Sequence, residues 1–279
     1  MPRRLLLDTG GTFIKGAVVG TAPYDAILLS EFQLPSSSGG TAQEIAASLQ
    51  AAWARGGRVD EVAVSIPGPF DYRNGIFRMQ HKFAAVNGRS YRELMGVPED
   101  VPVAFMHDVH AQLLGEMRSG AAQACDNVAL VTLGTGLGFI VATGGQIRLA
   151  PSGSPADSIW NLPCRDGILE DYVSSRGIRR LYGREIAVRE IADLAHEGEP
   201  AARAAFDQAG RLLAEALRPV LETFGVQRLL LGGQIARSFD LLAPALAELR
   251  QDCPALDAVL PVSDVSRAAF RGLAALQLP

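Results

Sequence analysis

The sequence predicts an α/β protein built from two related lobes, and two observations carry that expectation. Short apolar runs of strand length alternate with stretches whose apolar residues recur at helical spacing. In addition, a strand, a Gly/Thr turn and a second strand occur twice, once near the start of the chain and again from Asn127 to Ala142.

Taken in order, Arg4–Asp8, Thr12–Val19 and Asp25–Gln33 read as strands with short Gly- or Pro-containing links, which predicts an antiparallel meander opening a larger sheet. The loop "PSSSGG" leads to Thr41 and Glu44, a capping-box start for a helix to about Arg55. Glu61–Ile66 is a strand stopped by Pro67-Gly68-Pro69. Asp71–Gly75 has turn chemistry, and a mixed segment follows to Tyr91. Val101–Met106 is a strand, and a helix runs from Asp108 to about Arg118.

The opening pattern then returns. Asn127–Thr132 and Phe139–Ala142 are strands around "GTGLG", with Gly144-Gly145 closing another hairpin. Helices are predicted at Leu169–Leu181, Val188–His196 and Pro200–Phe224. The last carries Phe206, Gly210, Leu213, Leu217, Leu221 and Phe224 on one stripe. Gln227–Leu231 is a buried strand ending in Gly232-Gly233, before a helix, a strand near Ala258–Val262 and a closing helix, Ser266–Leu276. The expected division is a smaller first lobe, 1–112, with the closing helix 266–279 packed back on it, and a larger second lobe, 113–265. An apolar closing helix must dock its face somewhere.

Composition bounds the function classes. The 279 residues are 48% hydrophobic and 20% charged, with a net charge of −4; that is the profile of a globular chain with a substantial core. No dense Lys/Arg block provides a general phosphate-backbone grip, so no nucleic-acid partner is expected. No apolar run reaches membrane length and the start lacks the apolar stretch of an export signal, so the expectation is a cytoplasmic protein with no membrane partner. Cys125, Cys164 and Cys253 are scattered, without a C-x-x-C pair or a histidine at ligand spacing.

The chemistry concentrates at the Gly turns. "DTGGT" places an acidic residue, Asp8, at the tip of a buried strand, a costly position unless it holds something. "LGTGLG" imitates part of a dinucleotide fingerprint, but a strand follows it where that fingerprint needs a helix. Two turns rich in glycine and threonine offer backbone N–H groups and hydroxyls to a polyphosphate. Asp8 would then hold a hydrated Mg²⁺, which keeps several waters and needs few carboxylates. Phosphoryl transfer also needs a group that accepts the attacking hydroxyl's proton. Asp108 in "FMHDVHAQLLGE" stands past a strand at a helix start, where the helix dipole favours the carboxylate and where α/β proteins bind ligands.

With these elements in order, the sequence resembles the ROK family of sugar kinases, within the actin-like ATPase and hexokinase superfamily. Four stretches carry the resemblance: "LLLDTGGTFIKGAVV", "VAVSIPGPFDYRNGIF", "VALVTLGTGLGFIVATGGQI" and "VQRLLLGGQIARSFDLL". It implies a two-lobed actin-like (ribonuclease H-like) fold with a nucleotide and sugar cleft between the lobes. By it, Asp8, Thr9, Gly10, Gly11 and Thr12 line the phosphate and metal side, Gly134, Thr135 and Gly136 cradle phosphates, and Gly232 and Gly233 let the backbone approach adenosine. Asp108 falls on the family's catalytic base. ATP and Mg²⁺ are the implied cofactors, a sugar the implied substrate, and a homodimer a candidate assembly. Gly68 lies in the Pro-Gly-Pro segment beside the sugar site.

The departures are informative. Around the base the family's Asn-Asp-Ala-Asn is here His107-Asp108-Val109-His110, so His107 replaces an Asn that holds a sugar hydroxyl. His81 stands near another sugar contact. The family's zinc segment corresponds to "PADSIWNLPCRDGILEDYVSS", where Asp157 takes a Glu position, Trp160 a His position and Glu170 the final Glu. Asp157 and Glu170 are the expected carboxylate acceptors for sugar hydroxyls. Only Cys164 remains of the cysteines, so no structural zinc is expected, and Trp160 is expected to fill the space of the metal cluster. The implied activity is transfer of the γ-phosphate of ATP to a hydroxyl of a hexose or related sugar. A non-catalytic sugar or nucleotide sensor of the same fold is the alternative. Repressors of the family carry an N-terminal DNA-binding domain, and this chain begins directly at its first strand.

Overall fold

A computed structural model describes residues 2–21 and 26–276. The described chain divides into two units. One runs through Arg118 and takes in Leu149–Ser154 and the stretch from Arg267; the other comprises Ser119–Arg148 and Pro155–Ser266.

In the first unit the strands are β1 (Arg3–Thr9), β2 (Phe13–Thr21), β3 (Ala26–Pro35), β4 (Glu61–Ile66), a small hairpin of β5 (Phe70–Asp71) and β6 (Ile76–Phe77), and β7 (Val103–His107). The main sheet has the order β3-β2-β1-β4-β7. The first three strands are antiparallel, while β1, β4 and β7 run parallel. The sequence placed the start of β3 at Asp25, which lies outside the described residues.

Both faces of this sheet are covered, which is why β1 reads as an unbroken Leu5-Leu6-Leu7 run. Leu5 and Leu7 pack with Ile45, Leu49 and Ala52 of helix α1 (Ala42–Gly56). Leu6 points to the opposite face, among Ala111, Ala269 and Leu273. That second face holds α3 (Asp108–Ser119), introduced after the short α2 (Tyr91–Met95), together with the closing helix Ala268–Ala275. These two helices approach backbone to backbone. A Cβ on Gly272 would stand 1.8 Å from the Ala111 carbonyl oxygen, and one on Gly115 would stand 2.5 Å from that of Ala268. Arg4 fastens the closing helix from below, its Nη1 donating to the carbonyls of Leu273, Ala274 and Leu276 while Nε meets Glu61 at 2.7 Å. The closing helix begins two residues later than the sequence suggested, and 277–279 lie outside the described residues.

The "mixed" segment before Tyr91 is an aromatic core. Phe70, Phe77, Phe83, Tyr91 and Phe105 pack in edge-on, tilted and stacked pairs 5.4–6.4 Å apart.

The second unit repeats the plan. Its strands β8 (Val128–Leu133), β9 (Leu137–Thr143), β10 (Gln146–Ile147), β13 (Arg228–Gly232) and β14 (Ala258–Pro261) form a sheet of order β10-β9-β8-β13-β14. Here too an antiparallel hairpin precedes parallel strands. The helix Pro200–Phe224 has the bounds the sequence predicts, and Phe206, Gly210, Leu213, Leu217 and Leu221 are buried.

Two expectations need correction. The helix predicted at Leu169–Leu181 is two helices, Glu170–Val173 and Ser175–Tyr182, broken at an extended Ser174. The Ser175 N–H and hydroxyl both donate to the Gly134 carbonyl at 2.8 Å, so a tertiary partner takes the N–H that a continuous helix would use. Trp160 fills no interior space. It is 46% exposed, while its neighbours Ile159 and Leu169 supply the buried contacts beside the small hairpin of β11 (Pro163–Cys164) and β12 (Gly167–Ile168). Among the described residues no helix is long and apolar enough to cross a membrane.

Candidate active site

In the first unit, β1 ends at Asp8 and Thr9 and turns on Gly10-Gly11-Thr12 into β2. The turn is closed by the Gly10 N–H donating to the Phe13 carbonyl at 2.9 Å. A loop braces it, because the Ser36 and Ser38 hydroxyls both donate to the Gly11 carbonyl. Thr12 is exposed at the turn. Thr9 points the other way. Fully buried, its hydroxyl lies 2.8 Å from the Tyr91 hydroxyl, so its side chain belongs to the aromatic core and only its backbone borders the turn.

Asp8 is paired in register with Ser65 of the parallel β4, and the Ser65 hydroxyl donates to Asp8 Oδ1 at 2.8 Å. Burial pushes the Asp8 pKa up; the Ser65 hydrogen bond opposes this, the Asp108 charge adds to it and Lys15 works against it. Asp8 Oδ2 meets no hydrogen-bond donor among the described residues. A half-buried carboxylate with one oxygen fixed and one open fits a hydrated divalent cation better than a closed cage does. Among the described residues no group of three His, Cys, Asp or Glu side chains gathers as metal ligands. The donors of a tetrahedral zinc site are therefore not assembled around Cys164, whose thiol burial pushes up in pKa.

Asp108 follows β7 and opens α3, two strands from Asp8. Its Oδ1 accepts the Val109 N–H at 2.7 Å and lies 2.7 Å from His107 Nδ1. Burial acts to raise its pKa, but His107, the Val109 N–H and Lys82 together outweigh that, and the carboxyl is held below its ordinary value. Oδ2 meets no donor among the described residues. Around this pair, the His107 ring lies 5.8 Å from that of Tyr72, and His107 Nε2 faces Gly68, 3.5 Å from where a Cβ would stand. Tyr72 is buried, donates to the Ile66 carbonyl and has its pKa driven up, first by burial and then by the Asp108 charge. His110 is pushed down to about 4 by burial and by His107, so it is a neutral ring at neutral pH. His81 is exposed, whereas Lys82, the residue after it, lies over Gly11. Sequence reasoning passed over Lys82, although Lys15 and Lys82 are the only lysines among 26 basic residues.

In the second unit, Gly134-Thr135-Gly136 joins β8 to β9. The Gly134 N–H donates to the Gly136 carbonyl at 3.0 Å, and Thr135 is exposed. Glu170 is built into this turn. Its Oε2 accepts the Leu137 N–H at 2.9 Å and Oε1 meets Arg176 at 3.1 Å. Asp157 is paired with Arg148 at 2.9 Å. Gly232 ends β13 in register with Thr132, and Gly233 follows at φ 81°. A Cβ on Gly233 would stand 2.2 Å from the Leu133 carbonyl oxygen, so the backbone beside this turn has room for glycine alone. The structure thus gathers Asp8, Gly10, Gly11, Gly68, His107 and Asp108 in the first unit, and Gly134, Gly136, Glu170 and Gly233 in the second.

Comparison with known proteins gives a consistent picture. The sequence pattern of the ROK family matches residues 4–277. A beta-glucoside kinase of Listeria monocytogenes is 29% identical over 50% of this chain and 46% of its own length. The DNA-binding transcriptional repressor Mlc of Escherichia coli is 23% identical over 68% of this chain and 52% of that protein. The chain thus spans about half the length of these two relatives. A glucokinase of Thermotoga maritima is 26% identical over 67% of this chain and 68% of its own. Among solved structures, a ROK family glucokinase from Streptomyces griseus in complex with glucose and AMPPNP matches with a TM-score of 0.80, covering 98% of both chains at 22% identity. The fold is that of the actin-like ATPases.

Proposed function

This chain belongs to the ROK family, and from that premise we propose that it is an ATP-dependent sugar kinase acting on a hydroxyl of a hexose or related sugar, with Asp108 as general base. The observation that carries the reading is the geometry of the Asp108 carboxylate, with Oδ1 fixed by Val109 and His107 and Oδ2 open, at the C-terminal end of a parallel strand, where its neighbours lower its pKa and favour the ionised form. With the Gly10 and Gly134 N–H groups closing their own turns, those of Gly11 and Thr12 in the first turn and of Thr135 and Gly136 in the second are the donors for phosphate oxygens, and Gly232-Gly233 provides close backbone approach for adenosine. Asp8 would hold Mg²⁺ through water, and the ion supplies charge neutralisation at the phosphates.

In the step itself the sugar oxygen forms a bond to the γ-phosphorus and its proton passes to Asp108 Oδ2. The bond from the γ-phosphorus to the bridging oxygen breaks, and its electron pair leaves on ADP. His107 holds Oδ1, which aims Oδ2 and keeps its lone pairs for that proton. His107, Gly68 and His81 are the proposed sugar contacts of the first unit, and Asp157 is that of the second. Glu170 contributes as a strut of the second turn.

A second reading rests on the similarity to the Mlc repressor: a sugar or nucleotide sensor without turnover. Incubation with ATP and Mg²⁺ and a panel of hexoses, amino sugars and their epimers separates the two. A sugar phosphate identified by mass supports the kinase; sugar or nucleotide binding without any product supports the sensor.

A further inference from the structure

Lys82 has no part in the scheme above, yet its position is built. Phe83, fully buried, adopts a left-handed backbone at φ 52°, and its N–H donates to the Ser38 carbonyl at 2.7 Å. Ser38 in turn donates its hydroxyl to the Gly11 carbonyl. One loop therefore ties the Lys82–Phe83 backbone to the first Gly turn. The Lys82 stem then lies across Gly11: a Cβ there would stand 3.0 Å from Cε, 3.1 Å from Cδ and 3.4 Å from Nζ. Any larger residue at this position would require the lysine stem to shift by a few tenths of an ångström.

The ammonium reaches no ion pair and no hydrogen-bond acceptor among the described residues. A half-buried, unpaired cation lying on a turn rich in backbone N–H groups marks an anion's position. Its charge also falls on Asp108 and favours that carboxylate's ionised form. Residue choice points the same way. Of 26 basic residues all but two are arginine, so the chain's default cation is a guanidinium. Lysine at this point replaces a broad planar fork with a compact point charge that fits above a turn.

We propose that Lys82 contacts the phosphoryl group being transferred, neutralising the charge that spreads over its oxygens as the bond to the leaving oxygen breaks. The assignment rests on the kinase reading for the chemistry, and on the geometry of Gly11 and Lys82 for the place. The base must stand beside the attacking oxygen, and that oxygen attacks the terminal phosphorus. A cation that lies over the phosphate turn and acts on the base therefore meets the terminal phosphate rather than the inner two.

The test uses wild type, Lys82→Met and Lys82→Arg, each checked for an unchanged melting profile. Binding of the imido analogue of ATP and of ADP, both with Mg²⁺, is measured by calorimetry alongside turnover. Lys82→Met is expected to weaken the triphosphate analogue by about tenfold or more while ADP changes by less than about threefold, because only the terminal phosphate loses its partner. It is also expected to lower kcat by about 10²–10³ with a small change in the sugar KM, and Lys82→Arg to recover part of that loss.

Equal effects on the two nucleotides, or no effect on either, would overturn the assignment, as would a kcat within about threefold of wild type. The binding arm stays readable if wild type phosphorylates no sugar. That result would refute the kinase reading alone, and the contrast between the two nucleotides would still decide where Lys82 points. A melting profile lowered in both variants, with the two nucleotides affected alike, would make Lys82 a structural residue and also refute the proposal.

Discussion

Glu170 distinguishes two uses of one carboxylate. The family resemblance implies a sugar ligand, whereas the structure commits Oε2 to the Leu137 N–H at 2.9 Å and Oε1 to Arg176 at 3.1 Å. A hydrogen bond from a backbone N–H to a charged acceptor is worth about 1.5–3 kcal/mol, and an ion pair with a half-exposed arginine about 0–1 kcal/mol. Glu170→Ala loses both and is expected to cost about 2 kcal/mol, nearly all of it at the N–H beside the Gly134–Gly136 turn. Glu170→Gln keeps an oxygen for that N–H and is expected to cost less than about 1 kcal/mol. Urea unfolding measures both, and steady-state kinetics adds a second readout. A loosened phosphate turn raises the KM for ATP in the alanine variant with the sugar KM nearly unchanged. Two results would refute the reasoning: a glutamine variant as unstable as alanine, or a sugar KM that rises in both variants while the ATP KM stays put.

Further outcomes follow from the same geometry. Gly233→Ala places a Cβ against the Leu133 carbonyl at a left-handed φ, and is expected to destabilise by about 3 kcal/mol or more; an unfolding midpoint near wild type would contradict this. Arg4→Met leaves three carbonyls of the closing helix and the Glu61 carboxylate without their donor, for an expected loss of about 3–5 kcal/mol in denaturant unfolding. The two aspartates predict opposite pH trends. Asp108, lowered in the fold, stabilises above its ordinary 3.8 and loses that contribution as pH falls through its folded pKa, so wild type loses ground to Asp108→Asn in acid. Asp8, raised in the fold, penalises the ionised form, so wild type gains on Asp8→Asn as pH falls through the folded Asp8 pKa toward 3.8. Stability curves for the two variants that run in the same direction would refute these assignments.

What was legible in the sequence was mostly local. The strand that runs up to Gly232, the Thr41 capping box and the helical stripe of Pro200–Phe224 follow from neighbouring residues, and the structure has them. The duplicated strand–turn–strand was visible because its glycines recur. The missing parts depend on distant partners. Thr9 looks like a phosphate ligand until Tyr91, 82 residues on, takes its hydroxyl. The helix break at Ser174 has no breaker residue, because its cause is the Gly134 carbonyl, 41 residues before the Ser175 that donates to it. Trp160, expected to fill the space of the family's metal cluster, is exposed, and Ile159 faces inward instead. Lys82 carried one faint signal, a lysine in a chain that otherwise uses arginine. Its meaning appeared only once the loop at Ser36–Ser38 brought it over Gly11.

The most direct test of the account is sugar-dependent ADP release from ATP and Mg²⁺, with wild type and Asp108→Asn assayed side by side. With Asp108 as the base, wild type shows a sugar-dependent rate that falls by about 10²–10⁴ in the variant while nucleotide binding is kept. A variant that turns over near the wild-type rate would contradict Asp108 as the base, and a wild type that binds sugar or nucleotide but releases no ADP would contradict the kinase itself.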